Sequence, residues 1–279
     1  MVSSPGITVY RNHPEESPIQ PLSPFLKLIP LCTLLGMIAG CTQRHLPNPT
    51  QESATELIAA AAPLIPEESR QLMVAVPLPS DATRGFIYLF ERRDTGWSGR
   101  GYPLPAMVGR SGFAPPGEKR EGDGRTPSGL FNLELAFGYP SAVTTKMPYR
   151  QATDDDIWVD DIHAPEYNQW VRREETRASS FEEMKRQDHR YRYGLVIDYN
   201  RHPVVPALGS AIFMHIWLKE GVSTSGCVAL AESDLLEILH WLDPGKKPLI
   251  LMGDPRHLPA LPGWSGAKQT PDSCQQGKQ

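Results

Sequence analysis

Two side chains stand out for the chemistry they could do together. Cys227 lies in a run of small residues, Ser223 to Ala229, directly after Gly226. His215 precedes it by eleven intervening residues, at the end of an apolar run that includes Phe213 and Met214. A thiol is a weak nucleophile near neutral pH until a base or a cation makes it a thiolate. Imidazole is the usual agent, because its pKa lies near working pH. A glycine before a nucleophile lets the backbone approach a substrate closely and turns peptide N–H groups outward. The N–H groups around Gly226 and Cys227 are therefore expected to bind a developing oxyanion. Two plainer readings stand beside this one. A histidine closing an apolar strand is more often a satisfied core residue, and Cys227 could pair with Cys274 in an oxidising compartment.

The elements that must position this pair are mostly strands. Runs of β-formers predict strands at Gly85–Glu91, Pro103–Val108, Gly129–Ala136, Leu195–Tyr199, Ala211–Trp217 and Leu249–Met252. One helix is predicted from the spacing of Leu235, Ile238, Leu239 and Leu242, capped by Ser233 or a neighbour and stopped by Asp243-Pro244-Gly245. The charged stretch Trp170–Arg190 is expected to be a second helix on a surface insertion. The fold class is thus mostly β with one or two helices. Further candidates for substrate contact are Arg120, Asp123 and Arg125 in a Gly-rich loop, and the rings of Trp158, Trp170 and Trp217. The acidic run Asp154, Asp155, Asp156, Asp160 and Asp161, with His163, is expected to be a solvated loop, and no CxxC or HxxxH spacing points to a metal.

The chain has 279 residues with a formal net charge of −4. That balance argues against a dedicated nucleic-acid binder, which needs a basic face to displace counterions. Sixteen of the 28 prolines fall in residues 1–80 and 254–279, so residues 81–253 read as the compact body. The uncharged run Leu28–Gly40 is too short for a bilayer span, which takes roughly 20 residues, and suits a secretory signal. It ends in Ile38-Ala39-Gly40-Cys41, which resembles a bacterial lipobox. The expectation is a signal peptide over 1–40, a lipid carried on Cys41 and a membrane anchor through it, a Pro-rich tether over 41–80 with a short helix near Ala54–Ala62, and a polar tail over 254–279. The polar residue after the cysteine, Thr42, points to the outer membrane by resemblance to sorting in Gram-negative bacteria.

His215 and Thr224-Ser225-Gly226-Cys227 together resemble the L,D-transpeptidase catalytic domain, the YkuD-like family, which carries a histidine at a strand end, a loop, then Ser/Thr-x-Gly-Cys. Thr126-Pro127, Gly129 and Phe131 resemble a second family motif, TPxGxF. Trp158 to Asp161, Tyr167-Asn168, Tyr193-Gly194, Ile197 to Asn200, Gly209 to Phe213, Trp241 to Pro244 and Ile250 to Gly253 resemble one branch of the family. The chain departs from the common pattern at Ser225, where a histidine is usual, and at Ala229 and Leu230, where an arginine or asparagine is usual. The resemblance implies a YkuD-like β-sandwich, Cys227 as nucleophile and His215 as its base, with a carbonyl fixing the imidazole tautomer and the Gly226 and Cys227 N–H groups, helped by the Ser225 hydroxyl, forming the oxyanion hole. It implies peptidoglycan stem peptides as partners, attack on the L-centre carbonyl of the third, diamino residue, transfer of the acyl group to an amine, and no cofactor. Rival readings are a hydrolase at the same site, a non-catalytic lipid-anchored wall-binding module, and a disulfide-stapled binding domain.

Overall fold

The computed structural model describes residues 49–260. The expected signal segment, Cys41 and most of the tail, with Cys274, lie outside the described residues. In chain order the elements are α1 (Pro49–Ala61), β1 (Gln71–Leu78), β2 (Asp81–Arg93), β3 (Gly96–Met107), β4 (Gly129–Gly138), β5 (Tyr149–Gln151), β6 (Asp156–Val159), β7 (Trp170–Arg172), β8 (Phe181–Glu183), β9 (Tyr193–Ile197), β10 (Phe213–Ile216), β11 (Val228–Leu230), α2 (Glu232–Trp241) and β12 (Leu249–Met252). The large sheet runs β12-β1-β2-β3-β11-β10-β9-β4-β5, and a further pairing of β12 with β4 closes it on itself. The mostly β fold with two helices is as the sequence predicts. A small sheet, β7-β6-β8, stands apart.

The part of the chain expected to be a tether is instead woven into the body. β1 pairs parallel with β12 and antiparallel with β2. Its alternate residues face two different cores: Met73 and Ala75 join one, Leu72, Val74 and Val76 the other. A strand buried on both faces shows no alternation of polar and apolar residues. Its flanking prolines then make it look like linker. α1 lays Ala54, Leu57 and Ala61 against the outer core of β1, β2 and β12. Gln71 ties β1 to the end of α2: its amide donates to the Trp241 carbonyl at 2.8 Å and its oxygen accepts from Asp243 N–H at 2.8 Å.

α2 buries Leu235, Ile238 and Leu239 of the predicted apolar face together with Trp241, and the fourth predicted position, Leu242, is the buried C-cap residue. Its N-cap is Ala231, with no side-chain cap, rather than Ser233, whose hydroxyl turns to Asp234. Glu232 and Asp234 in the first turn suit the positive end of the helix dipole instead. Trp170–Arg190 forms no α-helix, only the short 3-10 turn Arg173–Glu175. It supplies β7, β8 and a turn fastened by Asp188, which accepts from both Arg186 and Arg190. Short strands of three residues carry too little periodicity to be told from a polar helix.

Candidate active site

β10 and β11 are parallel neighbours, with Met214 opposite Val228 and His215 opposite Ala229. Extending that register by one pair sets Phe213 opposite Cys227. The Phe213 N–H donates to the Cys227 Sγ at 3.4 Å, which places the two residues side by side. Side chains alternate along a strand. Met214, Val228 and Leu230 therefore enter the core shared with α2, while Phe213 and Cys227 join the outer cluster with Trp158, Tyr191 and Phe137. His215 shares that outer face, two residues along from Cys227. With strands about 4.8 Å apart and a rise of about 3.3 Å per residue, such diagonal neighbours have Cα atoms roughly 8 Å apart.

Both side chains line one cavity of about 390 Å³. Its walls come from three places: the nucleophile turn with β10, the loop between β3 and β4 (Arg110, Lys119, Glu121), and the insertion around the small sheet (Asp160, Glu182, Arg186, Arg190, Tyr191). The turn is tightly tied. Thr224 Oγ1 donates to the Cys227 carbonyl at 2.6 Å and accepts from Gly226 N–H at 3.1 Å. Thr224 also bridges to Gly109 in a parallel pairing. Gly226 has φ +149°, and a Cβ there would sit 2.9 Å from the Arg125 carbonyl oxygen. Gly226→Ala is therefore expected to cost about 2 kcal/mol or more. For a domain of this size that is a fall in melting temperature of about 4–8 °C, read by circular dichroism. An unchanged melting curve would contradict the strain argument.

The resting electrostatics differ from the ion pair the sequence suggests. Burial pushes the Cys227 thiol up to about 12, against the pull of the Phe213 N–H. Burial likewise lowers His215 to about 4, opposed by the hydrogen bond to Ile216 and reinforced by Arg190 and Arg186. Near neutral pH the pair is thus thiol and neutral imidazole. The thiol donates to the Ala211 carbonyl at 3.2 Å. His215 Nδ1 lies 2.8 Å from the Ile216 carbonyl oxygen. A carbonyl only accepts, so Nδ1 carries the proton and Nε2 keeps its lone pair. The ring packs edge-on against Tyr191 at 5.2 Å.

The other expected site residues divide. Ser225 lines the cavity, but its hydroxyl accepts from Arg110 at 3.3 Å. The Gly226 N–H, expected in an oxyanion hole, is already taken by Thr224. Arg120 and Arg125 do not line the cavity. The Arg120 guanidinium donates to the carbonyls of Gly117 and Lys119, so it holds its own loop. Arg125 N–H donates to Asp123, whose carboxyl is held below its usual value by Lys119 and these backbone donors, despite burial. Trp158 is 1% exposed, with Nε1 donating to Asn168 and its ring edge-on to Phe213 at 4.8 Å. It supports the strand that carries His215 rather than flooring a groove. Trp217 lines a separate groove with Leu78, Phe86 and Met107. The acidic run is internally engaged, Asp154 with Lys185, Asp155 with Arg172 and Asp156 with Arg150. Asp156 is buried rather than solvated.

Residues missed from the sequence are Arg110, Glu121, Glu182, Arg190 and Tyr191. Glu182 and Arg190 were present only as charge in an insertion that reads as a surface helix, Tyr191 directly follows it, and Arg110 and Glu121 lie in the loop between β3 and β4, where no spacing singles them out. Burial raises the carboxyl of Glu182, with Asp160 adding to it, and raises Asp160, with Glu121 and Asp161 adding. One wall of the cavity is thus a crowded set of carboxylates.

A family model, the L,D-transpeptidase catalytic domain (YkuD), matches residues 81–251. The chain belongs to the YkuD family. That match begins at β2, so β1 and α1 extend the YkuD body toward the N-terminus. Among solved structures, Bd1075 of Bdellovibrio bacteriovorus aligns at 14% identity and a TM-score of 0.35, covering 69% of this chain and 53% of that one. The helical cell shape determining protein Pgp2 of Campylobacter jejuni aligns at 13% identity and a TM-score of 0.34, covering 72% of this chain and 56% of that one. The chain therefore matches about half the length of these proteins. A comparison with curated protein sequences finds no match.

Proposed function

We propose that the protein is a peptidoglycan L,D-transpeptidase that works through a thioester on Cys227. The observation that carries this reading is that Cys227 and His215 line one cavity from the same face of paired strands, with Nδ1 held by the Ile216 carbonyl and Nε2 left as a base. At rest neither group is ionised, so the proton moves during attack rather than before it. Sγ leaves the Ala211 carbonyl, gives its proton to Nε2 and forms a bond to the stem carbonyl carbon. The carbonyl oxygen becomes an oxyanion, met by the Cys227 N–H. The tetrahedral centre collapses, the C–N bond breaks, and His215 returns the proton to the departing amine. An acceptor amine then attacks the thioester, loses its proton to Nε2, and the sulfur leaves and is reprotonated. No step needs a cofactor.

The apolar run ending at Cys41 fits this reading: the enzyme is exported and held by a lipid on Cys41, facing the wall. No helix among the described residues is long and apolar enough to cross a membrane.

The test is product analysis. Purified protein is incubated with tetrapeptide muropeptides, with and without excess D-amino acid. New amide products are expected. Tripeptides alone, whatever the amine supplied, would replace transfer by hydrolysis, and unchanged muropeptides would overturn the enzymatic reading.

A further inference from the structure

The cavity is lined by four basic side chains, and three of them are committed to carboxylates. Lys119 pairs with Asp123 at 2.7 Å, Arg186 with Glu182 at 2.9 Å and with Asp188 at 2.9 Å, and Arg190 with Asp188 at 2.6 Å. Arg110 differs. Its guanidinium donates to the Ser225 hydroxyl at 3.3 Å and the Gly122 carbonyl at 3.2 Å, both neutral acceptors, and no carboxylate pairs with it among the described residues. Its position is fixed from both sides. The Arg110 N–H donates to the Thr224 carbonyl at 2.8 Å. Gly124 lies against the guanidinium so closely that a Cβ there would meet its carbon at 2.7 Å. The lack of a side chain at Gly124 is what lets the guanidinium lie in this place.

We propose that Arg110 anchors the free C-terminal carboxylate of the residue that leaves. This inference rests on the transpeptidase reading and names a determinant of its substrate. Two features carry it. The carboxylates that line the cavity, Glu121, Asp160 and Glu182, repel an anion, whereas Arg110 is the lining cation that no carboxylate pairs with among the described residues. The position also fits: Arg110 lines the same cavity as Cys227 and grips Ser225, two positions from the nucleophile. A guanidinium–carboxylate contact is charge-assisted and commonly bidentate, which gives direction as well as affinity.

The test uses the full chain carrying Cys227→Ala, so that binding is read without turnover. Calorimetry compares a tetrapeptide stem with its C-terminal carboxamide in low salt. The carboxylate form is expected to bind about thirtyfold tighter. Adding Arg110→Ala should bring the ratio to about one, Arg110→Lys should keep part of it, and raised salt should shrink it in the parent, since Arg110 is exposed. Equal binding of the two peptides, no binding of either, or a ratio that survives Arg110→Ala overturns the proposal. Beside it, the wild-type chain is exposed to a carbapenem and weighed. An adduct without a carboxylate preference sinks the anchor alone. A carboxylate preference without an adduct sinks the enzymatic reading and leaves the anchor standing.

Discussion

Cys227→Ala is expected to abolish release of the terminal residue of a tetrapeptide stem, a fall of more than about 10³-fold. No other thiol among the described residues can replace it. The change should leave the fold intact. It removes one sulfur from a side chain already at the cavity wall, and the ties that build the turn run through Thr224 Oγ1 and the Cys227 carbonyl, which alanine keeps. Muropeptide turnover followed by chromatography checks the activity, and a melting curve checks the fold. Residual turnover near the wild-type rate in a folded variant would mean that the sulfur is not the nucleophile.

His215→Gln is expected to lower turnover by about 10²–10⁴-fold, the usual worth of a positioned general base. Its pH behaviour distinguishes a catalytic imidazole from a packed one. With His215 lowered to about 4, the base is available throughout the range above that value, so wild-type activity should hold level down to about pH 5 rather than fall near the ordinary imidazole pKa of about 6.5. The same shift acts on stability. A folded pKa below the unfolded one means that the unfolded chain takes up the proton first. The contribution is therefore complete above about 6.5 and is lost as pH falls through the folded value near 4. The loss amounts to about 3 kcal/mol at most, from about 1.4 kcal/mol for each pKa unit. His215→Gln should remove that part of the acid destabilisation, seen as a smaller drop in melting temperature between pH 7 and pH 4. A wild-type profile that titrates at about 6.5, in rate and in melting, would show an imidazole in contact with water and contradict the buried site.

That His215 and Cys227 come to one cavity was legible in the sequence, because a strand-end imidazole and a Gly-Cys turn are each recognisable over a few residues, and parallel pairing sets them on one face. The α2 face was legible because Leu235, Ile238 and Leu239 keep helical spacing against a single core. β1 was not, because both of its faces are buried and proline flanks it. The cavity walls were hidden for a different reason. Glu182, Arg186 and Arg190 look like a solvated charge run, and only the fold of the insertion turns them inward beside Tyr191. The ring of Trp158 shows the opposite case. Aromatic type suggests a binding floor, yet Trp158 satisfies its N–H on Asn168 within the core. The neutral resting pair was also beyond sequence reasoning, since desolvation depends on what covers the thiol and the imidazole rather than on which residues they are.

The claim on which the rest stands is that the Cys227 sulfur becomes acylated with His215 taking its proton. It is met most directly by intact-mass measurement of the full chain after exposure to a carbapenem, whose strained amide acylates a nucleophile and stays attached. One adduct is expected on the wild-type chain, mapped by peptide digestion to Cys227, slow to form on His215→Gln and missing from Cys227→Ala. An unmodified wild-type mass, or an adduct that persists in Cys227→Ala, would contradict the account.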